Sequence, residues 1–173
     1  MEILGYIVVS LIPSLALVYF FKLHLDKQNE KDINRLSIEL KKERQNAIFP
    51  SKLEAYQRVI LLLERINPQS LIMRLHQPGL AAKQFQSSLL ASIREEFDHN
   101  IAQQLFISTQ AWDLVKKSKE ETIKIINIAG REMKEDATAN ELSNKIFEIV
   151  AELEELPTEI AVKILKEEFK KQF

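Results

Sequence analysis

The chain has 173 residues, a formal net charge of −1 and no cysteine. The length allows one domain plus an extra segment, and the near-neutral balance lacks the basic footprint of a protein that coats nucleic acid. Without cysteine, disulfides, thiol nucleophiles and cysteine zinc sites are all excluded.

The first element is the run "ILGYIVVSLIPSLALVYFF", residues 3–21, which carries no charge. As a helix it is roughly 28 Å long, close to the thickness of a bilayer core. Pro13 is better tolerated in a membrane helix than in a soluble one, because neighbouring groups satisfy the freed carbonyl. Tyr19, Phe20, Phe21 and Lys22 form an aromatic and cationic belt at its end. A cleavable signal peptide is disfavoured by Glu2 at the start and by bulky aromatics where a small-residue cleavage site would lie. The reading is a retained transmembrane anchor, residues 1–24. Lys22, Lys27, Lys31 and Arg35 follow the span and none precedes it, so the N-terminus is expected outside and the body in the cytoplasm. For a bacterium this means a single-pass protein of the inner (cytoplasmic) membrane.

Residues 25–48 are expected to be a polar helical spacer, roughly 35–40 Å long with its flanks. Ile33, Leu36, Leu40 and Ala47 fit one side of a coiled-coil seam, but Glu43 interrupts it and Asp26 and Asn29 occupy the preceding heptad. A solvated helix is the simpler reading and a weak dimer stalk the sharper one. "FPSKLEAY" then predicts a break, since Pro50 disfavours helix at Phe49 and Pro50 or Ser51 can open the next one.

From residue 49 to residue 173 the pattern is an all-α helical bundle of about five to six helices. Leu53, Tyr56, Val59, Ile60, Leu63 and Ile66 recur at helical steps. Asn67 and Pro68 cap and open a short helix that "QPG", residues 77–79, ends. A long helix is predicted from about Leu80 to Ile107, and "ST" at 108–109 opens one carrying Trp112, Val115, Ile126 and Met133. "TANE", Thr138 to Glu141, has capping-box spacing, and Pro157 with Thr158 restarts the chain for a last helix.

The residues richest in chemistry are "REEFDHNIAQQLF", 94–106. Leu89, Ile93, Phe97, Ile101 and Leu105 make an apolar row, and at about 100° per residue Arg94, Asn100 and Gln104 project inside its edges. Buried polar groups need partners, and Glu64, at the edge of its own helix's apolar face, is a candidate. A hydrogen-bond network that fixes helix packing is the plainer reading of this cluster; a ligand or partner site is the sharper one. His99 points to the flank shared by Glu95, Glu96 and Gln103. Glu96-x-x-His99 is the spacing that each of two helices contributes in di-iron bundles, but His24 and His76 lack such a partner three residues earlier. Trp112 reads as a core or interface anchor. The three glycines, Gly5, Gly79 and Gly130, are far apart, so phosphate-cradling loops are absent, and no nucleophile elbow occurs.

The uncharged span followed by "AYQRVILLLERINPQSLIMRL", "IREEFDHNIAQQLF" and "AWDLVKKSKEE" resembles an uncharacterised bacterial family of small, N-terminally membrane-anchored, all-helical proteins. The resemblance implies an anchor and a helical body, and no activity, substrate or cofactor. The functional expectation is a membrane-anchored protein-interaction or scaffold module, with the bilayer and an unknown protein or a second copy as partners. No cofactor and no nucleic acid are expected. The alternative is a metal- or small-ligand-binding enzyme built from Glu64, Arg94, Glu96, His99, Asn100, Gln103 and Gln104.

Overall fold

Leucine, isoleucine, glutamate and lysine dominate a chain almost without glycine, and helix is the consequence. The computed structural model describes the backbone of residues 2–171 and the side chains of residue 17 and residues 19–171. Among the described residues six α-helices occur in the order α1 (Glu2–Ile66), α2 (Pro68–Leu75), α3 (Ala82–Asn100), α4 (Thr109–Arg131), α5 (Ala139–Ala151) and α6 (Pro157–Lys170). A short 3-10 helix, Ile101–Leu105, separates α3 from α4. Among the described residues there is no strand, only an isolated antiparallel bridge between Ala81 and Thr138. The chain divides into two units, residues 1–49 and residues 50–173.

The first unit is helical, and every side chain from Tyr19 to Phe49 is exposed. Among the described residues no helix is long and apolar enough to cross a membrane. The spanning segment expected at 3–21 falls, apart from Leu17 and Tyr19 to Phe21, outside the residues whose side chains are described. The break expected at Pro50 is corrected, because α1 continues through it without interruption. Proline there removes one backbone donor and frees the carbonyl of Asn46. Both residues are exposed, so water can satisfy that carbonyl and the helix need not end.

In the second unit, α1 buries Ala55, Tyr56, Val59, Leu62, Leu63 and Ile66 at three- and four-residue spacing. Asn67 caps α2, its Oδ1 accepting from the Gln69 N–H at 3.0 Å, with Pro68 as the first helical residue. α4 packs against α3, α5 and α6 and carries Trp112, Val115, Ile126 and Ala129 into the core. Its N-terminus is capped by Ser108, whose Oγ accepts from the Ala111 N–H at 3.2 Å. Thr138 and Glu141 form the expected capping box of α5. Met133 lies beyond the end of α4, partly buried against the core.

The start of α3 is held in an unusual way. Ala81 has no side chain to cap the helix, and the Ala82 N–H donates instead to the Ala137 carbonyl at 2.9 Å. The Ala139 N–H answers by donating to the Leu80 carbonyl, also at 2.9 Å. The N-termini of α3 and α5 are thereby tied together through backbone alone.

Candidate functional site

The long helix expected from Leu80 to Ile107 is corrected: α-helical geometry stops at Asn100, where φ is −109° and ψ is 4°. A 3-10 turn advances about 120° per residue in place of about 100°, so the apolar row is rotated off the core after Phe97. Leu89, Ile93 and Phe97 are buried, whereas Ile101 is exposed and Leu105 is 80% exposed.

The polar residues expected to point inward are corrected too: the period change moves Gln104, whereas Arg94 lies within regular α3 and simply stands outside its buried stripe. Arg94 and Gln104 are exposed, and Gln103 is half-buried with its carbonyl accepting from the Phe106 N–H at 3.1 Å. Asn100 is half-buried; its Nδ2 donates to the Glu96 carbonyl one turn back in α3 at 2.8 Å, so the amide is spent on its own helix. Glu64 is exposed and is not their partner.

Glu96 is the residue around which the local polar groups gather. Its side chain is only 16% exposed, and Oε1 lies 2.8 Å from Arg65 Nε and 3.6 Å from Arg74 Nη1. Arg74 Nη2 donates to Ser92 Oγ at 3.1 Å and to the Arg65 carbonyl at 3.4 Å. One carboxylate thus joins α1, α2 and α3. Sequence reasoning missed both arginines. The available signal was position: Arg65 precedes buried Ile66 and Glu96 precedes buried Phe97, so both stand at the edges of facing apolar stripes.

A cleft of about 380 Å³ opens beside this network, lined by Arg58, Leu61, Arg65, Glu95, Glu96 and His99 among others. His99 Nδ1 lies 2.8 Å from the Glu95 carbonyl. A carbonyl can only accept, so Nδ1 carries the proton and Nε2 keeps its lone pair in the neutral ring. The Glu96 carboxylate is engaged by arginine, and among the described residues no three His, Cys, Asp or Glu side chains converge to hold a metal ion. Trp112 is buried in the core, its ring 5.5 Å from that of Phe97, while Lys119 Nζ sits 4.3 Å over the Phe97 ring.

A second, larger groove of about 640 Å³ lies between α6 and the start of α4, lined in part by Lys52, Leu105, Phe106, Ile164 and Glu168. Glu168 accepts from the Tyr56 hydroxyl, from the Ser108 hydroxyl and from the Ser108 N–H at 3.1 Å. Burial acts to raise its carboxyl, but the hydrogen bonds from Ser108 and Tyr56 outweigh that and hold it below the usual range. This carboxylate occupies the positive end of α4 and binds α6 to α1 and α4. No sequence pattern marks it, because its partners are 60 and 112 residues away.

Comparison with known proteins decides the family, with a match over residues 1–172. The chain belongs to DUF7935, a family of unknown function. No curated protein and no solved structure matches it. The residues that DUF7935 membership spans therefore include both grooves, the Glu96 network and the uncharged N-terminal run.

Proposed function

We propose that the protein is a membrane-tethered helical module whose cleft beside Glu96 binds another protein. The observation that carries this reading is the composition of that cleft. Leu61, 55% exposed, stands among Arg58, Glu95 and His99, so an apolar anchor is ringed by hydrogen-bonding and charged groups. Such a mixture of one desolvating side chain with arginine and polar neighbours is how protein interfaces are built. The Arg65–Glu96–Arg74 network beneath it fixes the positions of the helices that form the cleft.

The tether rests on the uncharged run at 3–21 and the basic residues after it, with the body on the cytoplasmic side. Full-length protein should stay with membranes through high salt and alkaline wash; release of intact protein by the wash would remove the tether from the proposal. For the cleft, the test is co-purification from gently solubilised membranes. A stoichiometric protein partner should be lost in Leu61→Asp and kept in Met73→Asp, a more exposed apolar site on α2 that does not line the cleft. Loss in both variants or in neither would count against the cleft.

A further inference from the structure

Three histidines occur in the chain, and the hydrogen bonds around each ring decide which nitrogen keeps a lone pair. Gln28 Nε2 lies 3.2 Å from His24 Nε2, and an amide nitrogen only donates, so that lone pair is taken. His76 Nε2 lies 2.7 Å from Asn140 Oδ1, an acceptor, so Nε2 there carries the proton. His99 is the opposite case. Its Nδ1–H is held by the Glu95 carbonyl one turn back, the ring is exposed, and Nε2 has no partner among the described residues. Of the three rings, only this one offers an unengaged lone pair at Nε2, and it lines a cleft.

The cleft supplies what an incoming phosphoryl group needs. Arg58 and Arg65 line it together with His99. Arg58 donates to Glu54 Oε1 through Nε at 2.9 Å, which leaves its terminal nitrogens for an anion. Arg65 and Arg74 share the single Glu96 carboxylate, so that trio keeps a net positive charge. Guanidinium groups bind phosphate oxygens in a planar, two-pronged way, and the volume of about 380 Å³ admits a small donor. We infer that His99 Nε2 accepts a phosphoryl group from an acyl phosphate in this cleft.

The step balances without any proton transfer. The Nε2 lone pair forms the bond to phosphorus, the bond from phosphorus to the acyl oxygen breaks, and its electron pair leaves with the carboxylate. Nδ1 keeps its hydrogen, so the ring becomes a cation still bonded to the Glu95 carbonyl. The Glu95 side chain, which also lines the cleft, adds a carboxylate to offset that cation. Partner binding is proposed for the same cleft, but this reaction needs no partner protein, so either can hold without the other.

The other two histidines serve as internal references for the test. Full-length protein is incubated with acetyl phosphate, and each histidine is mapped by mass spectrometry at alkaline pH, where phosphohistidine survives. In folded protein His99 should be phosphorylated at least about threefold faster than His24 or His76, and the three rates should converge in denaturant. Arg58→Ala, a change at an exposed residue, should slow the reaction of His99 and leave that of His24 unchanged. Comparable rates at all three histidines in folded protein, or no phosphohistidine at any, overturns the inference. A His99 rate indifferent to Arg58→Ala overturns it as well.

Discussion

Protonating one carboxyl, that of Glu168, should untie three helices. Because its value is depressed in the folded protein, its contribution is complete above the usual glutamate range and is lost as pH falls through the depressed value. Glu168→Gln is expected to lower stability by about 1–2 kcal/mol at pH 7, a figure reduced from that of fully buried charged hydrogen bonds because the site is partly wet. Denaturant unfolding at pH 7 and pH 3 checks this: the gap between the two proteins should narrow at the lower pH. A gap that stays constant would mean that the charge of Glu168 contributes nothing. At this scale the sequence was only half legible. Sequence spacing placed Glu96 on the flank with His99 and Gln104 toward the core; Gln104 is exposed because a wheel assumes one helical period and cannot see the period change after Asn100.

Helix ends proved easier to read than helix lengths. Asn67, Ser108, Thr138 and Pro157 all mark N-termini, since each acts through atoms two or three residues away or through its own backbone restriction. Pro50 carried the same signal and no end followed. Whether a proline stops a helix depends on the fate of the carbonyl four residues earlier, and solvent exposure at Asn46 is not written in the local sequence. Proline in a helix interior is less favourable than alanine by about 3 kcal/mol, so Pro50→Ala should strengthen α1. Amide hydrogen exchange is expected to slow for residues 47–54 in that variant; unchanged exchange there would show that the helix bears no local cost at Pro50.

At the scale of the whole molecule, the buried apolar side chains among the described residues run from Ala55 to Leu165, all within the second unit. A chain that begins at Pro50 should therefore keep a cooperative helical melt, followed by circular dichroism, within a few degrees of the full-length protein's transition. A broad, non-cooperative melt would assign part of the fold to residues 1–49. All-helical architecture was legible because apolar spacing of three and four recurs through the body, and burial follows that spacing from Tyr56 to Leu165. The cleft was not legible, since it depends on which helix faces meet.

The reciprocal backbone bonds between Leu80–Ala82 and Ala137–Ala139 bear on the order of assembly. They close a long loop that contains all of α3 and α4. Closing such a loop before its contents have packed costs chain entropy with little return, so the α3–α4 pair should dock first and the bridge should form late.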